Sequence, residues 1–445
     1  MNVVNRHVDT GMNSRFDNSG WMNVYLIITF VIAFDCFGMI GSEGLTSIFL
    51  SSKLLLSIVC IGGAFLFFLS SKGRSVPLIG TFFSGYYCFF FISVTLVAFL
   101  TVNAYPSVDK LRVFARWASY LTVTFVFIAM VYCHGKRNGL IELLLLLEKV
   151  ATVGYCLYIL NALVFQATGN LMLPGQAFLG DHEHANVRYF LVRLSTPLLF
   201  DISVIASFVF AIAGAKDQKR FHLISFILGL FVVVGISQSR AETAAVMAAC
   251  FIALVIRYGH AHPVLAIISS LVVLSIAMFF AGLFDQIVGL FYQNGAVESS
   301  TLIRGNSVDY YMSIFSRNPL YGFGFISGSD SYYLLEHGVS GQAWISDVGI
   351  FGQLAHWGIF FGLNYFGFIS RAVYITVGRW RAMPTSVKCL ALSSLVYVAL
   401  TSYSQISLSV TSGLVFPFLV AIFEFVDMGT AYKGRMCLIQ ADERG

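Results

Sequence analysis

The stretch LISFILGLFVVVGISQSRAETAAVMAACFIALVI, Leu223 to Ile256, decides the fold. Two apolar runs flank the polar segment GISQSRAETAAV, which contains two serines, a glutamine, an arginine and a glutamate. Because a helix needs about 20 apolar residues to cross a bilayer, the stretch predicts two membrane helices joined by a polar turn. Arg240 and Glu242 in that turn point to a function, because an unpaired arginine at mid-bilayer costs about 2.5–3.5 kcal/mol even on the mildest scale.

The rest of the chain has the same apolar character. Of its 445 residues, 58% are hydrophobic and 11% are charged, whereas soluble domains carry about 25% charged residues. The sequence therefore predicts an all-α polytopic membrane protein, with one helical domain over 21–427 between cytoplasmic tails at 1–20 and 428–445. Its apolar runs predict about 12 spans, at 21–41, 47–70, 79–103, 115–134, 145–167, 195–215, 222–237, 242–257, 264–284, 347–369, 387–404 and 407–427.

The distribution of Lys and Arg predicts the orientation of these spans. Cytoplasmic loops carry an excess of these residues, and an even number of spans puts both termini on one side. With both termini in the cytoplasm, the cytoplasmic segments contain 18 of the 27 Lys and Arg residues and the outer segments contain nine. Two long loops, at about 167–194 and 285–346, are then periplasmic. The eight cysteines lie mostly in apolar runs and predict no disulfide framework.

The larger outer loop has the composition of a sugar-binding surface. Between 285 and 346 it contains eleven aromatic residues, five acidic residues and only two arginines. A nucleic-acid partner would require a basic surface, so this balance argues against one. Aromatic faces beside carboxylates suit an uncharged, hydroxyl-rich ligand. The same rings also suit a loop that packs onto the membrane domain, and both interpretations stay open.

Arginine recurs on the predicted outer side, where the positive-inside bias disfavours it. Guanidinium groups bind phosphate oxygens in a bidentate way, so several arginines near the membrane surface predict a site for a lipid-linked pyrophosphate. For Arg240 the alternative is a structural ion pair with Glu242. The set comprises Arg188, Arg193, Arg240, Arg304 and Arg317.

Three segments stand out in sequence order: GISQSRAETAAV at 235–246, ESSTLIRGNSVDYYMSIFSRNPLYGFGF at 298–325 and SDVGIFGQLAHWGIFFG at 346–362. Over about 230–362 they resemble the signature of the O-antigen ligase and Wzy polysaccharide polymerase superfamily. In that superfamily an S-x-S-R turn opens one span, an arginine begins a helix in the long periplasmic loop, and an N-P-L-x-G-x-G turn follows.

The resemblance implies a bacterial inner-membrane glycosyltransferase. Arg240 and Arg304 match arginines that hold the pyrophosphate of an undecaprenyl-linked glycan donor, which makes them catalytic candidates. The ligases place a histidine at the start of the span after the loop, and Asp347 occupies that position here. This difference favours a polymerase that transfers the glycan onto a lipid-linked repeat unit, with transfer to lipid A core as the alternative. The implied partners are the undecaprenyl-linked donor and acceptor, the bilayer and a chain-length regulator protein, and no cofactor is implied.

The transfer chemistry predicts the remaining site residues. Fixed arginines stabilise negative charge on the leaving phosphate, and a carboxylate or histidine can take the acceptor's proton. Asp347 is the first candidate for this catalytic base, although it suits a helix N-cap equally well. The reaction requires no metal, and DHEH at 181–184 has too few spaced ligands to predict one. Asp309, Glu336 and His337 are reserve bases, and the expected substrate contacts are Arg188, Arg193, Ser237, Ser239, Glu242, Asp309, Tyr311, Arg317, Glu336 and His337.

Two other classes fit parts of the sequence. Ser237 and His356 resemble the serine and histidine segments of rhomboid proteases, but they are predicted at different depths, and His356 is better interpreted as a hydrogen-bonded core histidine. A flippase or transporter is the non-enzyme alternative, because intramembrane ionisable residues such as Asp35 and Glu424 can mark a substrate path. Transporters usually show internal repeats, and none is evident in this sequence.

Overall fold

The computed structural model describes residues 19–36, 52–70, 81–135, 139–173, 187–188, 191–214, 218–258, 296–326, 332, 335, 337–338, 345, 348–402 and 413–431. Over these residues the protein is mostly helical, as the composition predicts. A short antiparallel hairpin of β1 (Val187–Arg188) and β2 (Leu191–Val192) lies in the first predicted outer loop.

The helices are numbered here in chain order. A 3₁₀ turn at Tyr120–Thr124 joins the fourth to the fifth, and a π-helical turn at Val232–Ser237 follows the eighth. Their bounds are α1 (Ser19–Ala33), α2 (Ser52–Ser70), α3 (Thr81–Ala104), α4 (Lys110–Ser119), α5 (Phe125–Gly135), α6 (Gly139–Thr168), α7 (Leu199–Ala213), α8 (Lys219–Phe231), α9 (Arg240–Tyr258), α10 (Ala296–Arg317), α11 (Gly349–Trp357), α12 (Ile359–Gly378), α13 (Thr385–Thr401) and α14 (Val415–Ala431).

The described helices fit a multi-pass membrane protein. Six stretches are long and apolar enough to cross a membrane: Gly85–Ala104, Lys110–Cys133, Gly139–Thr168, Lys219–Ser237, Ala241–Tyr258 and Ile359–Gly378. Shorter apolar helices cover Gly20–Ala33, Leu54–Leu66, Leu199–Ala213 and Thr385–Thr401. The total of about 12 spans stays a prediction, and the span at 264–284 lies outside the described residues.

On α8 the apolar side chains face outward and the polar side chains face the protein interior, which is the reverse of a helix in a soluble protein. Leu223, Ile224 and Ile227 are exposed, whereas His222 and Ser225 are buried. Soluble monomers rarely expose large continuous apolar patches, so this exterior suits contact with lipid.

Buried aromatic rings hold the N-terminal helices to the centre of the bundle. The ring of Phe200, near the start of α7, stacks on Phe34 with 4.6 Å between centroids. Two tyrosines of α6 pack on the same ring, Tyr155 at 4.8 Å and Tyr158 at 5.3 Å. The interior between α6 and α7 is therefore close-packed, and the positions of the polar groups within it are well defined.

Two predicted spans differ from the helices in which they lie. The span predicted at 145–167 is the 30-residue helix α6, which begins six residues earlier and buries Leu140, Leu143 and Leu144. The span predicted at 347–369 is interrupted at Gly358, whose positive φ of 62° breaks α11 from α12.

The interruption at Gly358 makes α11 fold back beside α12. The amide of Ile350, at the start of α11, donates to the Ser402 carbonyl oxygen at 2.9 Å. The hydroxyl of Tyr365, in the second turn of α12, hydrogen-bonds with the Ser402 hydroxyl. Both helices therefore contact one residue at the end of α13. The 20 residues of α12 alone rise about 30 Å, the thickness of a bilayer's hydrocarbon core.

The second predicted outer loop contains a long helix. The 22 residues of α10 pack against α11, and Tyr311, Phe323 and Ala355 form part of a separate buried cluster between these segments. Arg304 was expected to begin the loop helix, but α10 starts eight residues earlier at Ala296. This expectation is wrong because the helix extends back through the polar residues before Arg304.

Candidate functional site

The polar turn between α8 and α9 is built by a change of helix type. After the π-helical turn, Gln238 adopts the left-handed conformation with φ of 54°. Its side-chain amide donates to the carbonyl oxygen of Gly235 at 2.9 Å and to that of Leu191 at 3.3 Å. The chain therefore turns at the glutamine, and not at the two serines beside it. Single π-helical turns occur frequently at functional sites.

Ser237 and Glu242 meet across this turn. The Ser237 hydroxyl donates to Oε2 of Glu242 at 3.0 Å, and both side chains are buried. Glu242 lies in the first turn of α9, where the positive end of the helix dipole favours a carboxylate. Ser239, just before α9, is partly buried. Two predicted substrate contacts are thus joined by a hydrogen bond at the start of a membrane-length helix.

The hairpin of the first outer loop docks onto the same turn. Arg193, directly after β2, donates from Nε to the Ser237 carbonyl oxygen at 3.1 Å. The next amide, that of Leu194, donates to the Ile236 carbonyl oxygen at 3.2 Å. Arg193 was predicted from the first loop, and Ser237 and Glu242 from the segment at 235–246, and the fold brings the two parts together.

Beside Glu242 lies a second buried carboxylate that the sequence interpretation missed. Asp201 in α7 accepts a 2.6 Å hydrogen bond from the Tyr397 hydroxyl of α13. The carboxylates of Asp201 and Glu242 interact electrostatically, and both act on the Tyr397 phenol. Neighbouring buried carboxylates hold one negative charge more easily than two, so this pair is suited to exchanging a proton. An aspartate within an apolar run, LLFDISVIASF, was the available signal.

The N-P-L-x-G-x-G turn at 318–326 is held by backbone contacts. The amide of Phe323 donates to the Ala355 carbonyl oxygen at 2.8 Å, and that of Gly324 to the His356 carbonyl oxygen at 3.0 Å. Gly322 has φ of 60°, and a Cβ there would overlap with the Ala355 carbonyl oxygen. This turn therefore fixes the end of α10 to the end of α11.

Arg116 ties the same turn to α4. Its guanidinium donates to the Ile326 carbonyl oxygen and lies 3.2 Å from Nε2 of His356. His356 is buried between the rings of Phe323 and Phe325. The interpretation of His356 as a hydrogen-bonded core histidine is confirmed. Ser237 is paired with Glu242 instead, so these contacts give no support to a serine–histidine pair.

The outer-loop candidates fall into exposed and buried groups. Asp309 and Arg317 are exposed along α10, where a ligand can reach them. Tyr311 is fully buried against the turn and α11, and His337 is buried as well. Substrate contact by any of the four stays a prediction. For the two buried side chains it would require a rearrangement of the loop.

Two further tyrosines, both partly buried, pack together near the start of α4. Tyr105 packs edge-on against Tyr332 at 5.2 Å, and the Tyr332 hydroxyl lies 2.5 Å from that of Ser107. Burial raises the pKa of the Tyr105 phenol above its ordinary value of 10, and nearby Tyr321 and Tyr332 raise it further. The Tyr105 phenol is therefore neutral at physiological pH and can both donate and accept a hydrogen bond.

The remaining candidates are described only in part. Arg188 lies in β1, Arg240 is the first residue of α9, and Arg304 lies within α10, but their side chains are outside the described set. Glu336 and Asp347, with both interpretations of Asp347, lie outside the described residues altogether. The choice between a phosphate contact and an ion pair for Arg240 stays open.

Glu424, considered above as part of a transport path, belongs to an ion-pair network. Arg371 donates to both Glu424 oxygens at 3.0 and 3.1 Å and to Asp427 at 2.7 Å. Arg379 donates to the other oxygen of Asp427 at 2.9 Å. This network fastens α14 to the end of α12, which gives Glu424 a structural role. Asp35, the other residue considered, is buried in the turn after α1.

Comparisons with known proteins add no family assignment. No family model matches the chain, and a comparison with curated proteins finds no significant match. Within the part of the chain that the structure describes, no group of three or more His, Cys, Asp or Glu residues is placed to hold a metal ion.

Proposed function

We propose that this protein is a membrane glycosyltransferase of the Wzy polymerase type. It transfers a glycan from undecaprenyl pyrophosphate onto a lipid-linked repeat unit at the outer face of the bacterial inner membrane. The anomeric carbon of the donor is attacked by an acceptor hydroxyl, and the pyrophosphate leaves with the bonding electron pair. Arginine side chains stabilise that leaving group, and a carboxylate takes the proton.

The observation that carries the proposal is the convergence of Arg193, Ser237 and Glu242. An arginine from one outer loop, a hydroxyl and a carboxylate meet at the turn that Arg240 follows directly. The start of α9 adds backbone N–H groups, which bind phosphate readily. A cation, a helix N-terminus and a proton acceptor are the groups that transfer from a lipid pyrophosphate donor requires.

The charge distribution supports the proposed orientation. Arg257 at the end of α9 donates to the Ile212 carbonyl oxygen of α7 at 3.3 Å, and Cys389 of α13 donates to the Ala253 carbonyl oxygen at 3.5 Å. The ends of α7 and α9 and the start of α13 thus share one end of the bundle, opposite the polar turn. A cationic end is the cytoplasmic one under the positive-inside rule.

The test replaces Arg240 in a strain that depends on this protein for polysaccharide. A lysine keeps the charge and loses the planar fork, so Arg240→Lys is expected at normal abundance with most activity lost. Arg240→Ala should abolish polymer, with single lipid-linked repeats accumulating. Arg257→Lys, at the opposite end, is the matched control and should make normal polymer. Polymer length and lipid-linked intermediates are measured at equal protein abundance.

The rival interpretations give different results in the same experiment. A structural ion pair predicts that Arg240→Ala and Glu242→Ala both remove the protein from the membrane. Full-length chains left on lipid pyrophosphate after deletion would indicate a ligase, and untransported repeats would indicate a flippase. If wild type and Arg240→Lys made polymer of equal length at equal abundance, bidentate binding of the pyrophosphate by Arg240 would be contradicted.

A further inference from the structure

A row of buried polar side chains runs through the interior of the bundle as far as the candidate site. It begins at one end with Glu148 of α6 and His222 of α8, whose Oε2 and Nδ1 atoms are 2.8 Å apart. Both are almost completely buried. An ion pair that is only structural could lie at the surface without this desolvation cost, so its position needs another explanation.

Hydroxyl groups continue the row one helical turn further along. The Thr152 hydroxyl, four residues after Glu148, lies 2.9 Å from that of Ser225, three residues after His222. The Ser225 hydroxyl in turn lies 3.1 Å from that of Ser207 on α7. Each hydroxyl can donate and accept at once, so the three helices are joined by a line of exchangeable protons.

Tyr155 occupies the middle of the row. Its phenol donates to the Phe200 carbonyl oxygen at 3.2 Å. It lies near the carboxylates of Glu148 and Asp201 and near the Ser203 hydroxyl, which makes no hydrogen bond within the described residues. Ser203 and Ser207 are four residues apart on α7 and share a face. The phenol therefore lies between the carboxylates of the two ends.

A glycine makes room for that ring. A Cβ at Gly229 of α8 would lie 2.7 Å from Cζ of Tyr155 and 2.6 Å from Cγ2 of Val204. Glycine is unfavourable within a helix, by about 1 kcal/mol relative to alanine. Glycine at this position leaves the space that the Tyr155 ring occupies.

The far end of the row is the candidate site itself. Tyr397 donates to Asp201, Asp201 interacts with Glu242, and Ser237 donates to Glu242. From His222 to Ser237 the row extends about 20 Å along α8. The polar row is therefore defined as Glu148, His222, Thr152, Ser225, Ser207, Ser203, Tyr155, Asp201, Tyr397, Glu242 and Ser237.

We propose that the polar row conducts protons between the Glu148–His222 pair and the candidate site. Serine, threonine and glycine alone would suffice to pack membrane helices closely. Chains of Asp, Glu and His inside membranes mark proton relays, and burying such groups without a role is unfavourable. Ionisable groups at both ends with hydroxyls between them are what a relay requires.

The use of the path rests on the proposed function. Each transfer forms a glycosidic C–O bond and breaks the bond from the anomeric carbon to pyrophosphate, which takes the electron pair. The proton of the acceptor hydroxyl passes to Glu242 and Asp201, and then along the row to His222. The path itself is testable without any glycan donor, so failure of one proposal does not decide the other.

The experiment reconstitutes the purified full chain into liposomes that contain a pH-sensitive dye. A potassium gradient with valinomycin drives proton movement. We expect a faster change of internal pH than in protein-free liposomes. Tyr155→Phe keeps the ring and removes the hydroxyl, so its rate should fall to that of protein-free liposomes. Tyr158→Phe is the matched control: it packs on the same Phe200 ring, its phenol donates to the Ser195 carbonyl oxygen at 3.2 Å, and it should conduct like wild type.

A second variant tests whether a loss of flux comes from a missing hydroxyl and not from misfolding. Ser225→Ala removes one hydroxyl from the other half of the row and should also reduce the proton flux, with an unchanged elution volume in detergent. Wild-type flux no faster than protein-free liposomes would overturn the proposal, as would equal flux in wild type, Tyr155→Phe and Ser225→Ala. Loss of flux together with normal polymer synthesis in Tyr155→Phe would support the path and separate it from the transfer reaction.

Discussion

The two turns that resemble the polymerase signature are built on opposite principles. The turn at 235–243 is held by side chains: the amide of Gln238, the guanidinium of Arg193 and the hydroxyl of Ser237 make its contacts. The turn at 318–326 is held chiefly by backbone amides that approach the end of α11, and this close approach requires glycine at 322. Tyr397 of α13 bonds to Asp201 beside the first turn, and the second turn contacts α11, whose Ile350 bonds to Ser402 after α13.

The first turn therefore presents reactive side chains, whereas the second fixes the position of a helix. A turn made by polar side chains presents groups that can bind or exchange protons, and those groups can be changed one at a time. A turn made by backbone contact presents little chemistry, but it fixes the position of α10 with respect to the bundle. Changes in the first turn should therefore affect activity, and changes in the second should affect folding.

The largest effect is expected in the backbone-held turn. Gly322→Ala would place a Cβ onto the Ala355 carbonyl oxygen at a positive φ. The left-handed strain and the overlap together should cost about 2–5 kcal/mol, a large part of the stability of an ordinary domain. We expect the variant to be absent from the membrane fraction, measured by immunoblot. Gly305→Ala in α10 has no neighbouring atom within 4 Å of its Cβ and should accumulate normally; equal abundance of both variants would contradict a close backbone approach at 322.

An intermediate effect is expected at the carboxylate of the side-chain-held turn. Glu242→Gln keeps an oxygen that accepts from Ser237 but removes the proton-accepting charge. If Glu242 takes part in proton transfer, the rate of polymer formation should fall on the order of 100-fold at unchanged abundance. Glu142→Gln, in the first turn of α6, is the control. Normal polymer from Glu242→Gln would leave that residue with a structural role only.

The smallest effect is expected at Gln238. Its two side-chain hydrogen bonds should each contribute about 1 kcal/mol, so Gln238→Ala should lower the thermal stability of the purified protein in detergent. Gln238→Gly loses the same bonds but relieves the left-handed backbone, so it should be more stable than the alanine variant. The measurement is the midpoint of thermal unfolding by intrinsic fluorescence. The reverse order of the two variants would show that the side chain does not set this turn.

Much of the helical fold could be predicted because apolar length is a local property. The predicted spans at 222–237 and 242–257 differ from the observed helices by only a few residues. The break at Gly358 was missed because it depends on a distant contact: a Cβ there would overlap with the backbone of Leu320. A glycine inside an apolar run gives no local indication of that neighbour.

The site residues in the polar segment between two apolar runs were predicted from the sequence. Those that lie singly within an apolar helix were missed. Ser237 and Glu242 stand out in a polar segment, and their hydrogen bond agrees with that prediction. Asp201 and Tyr397 lie in separate apolar helices, and only packing of α7 against α13 brings them together. Sequence spacing cannot reveal such a pair, because it arises from the arrangement of helices that are nearly 200 residues apart.

The ion-pair network of Arg371, Arg379, Glu424 and Asp427 has a consequence for biogenesis. We expect α14 to enter the bilayer after α12, carrying two carboxylates, Glu424 and Asp427, whose insertion into lipid is unfavourable. Arg371 in α12 has already been synthesised by then and supplies the opposite charge. Helix α14 is thus expected to partition into the membrane paired with α12, so a nascent chain that lacks Arg371 would release α14 more slowly from the insertion machinery.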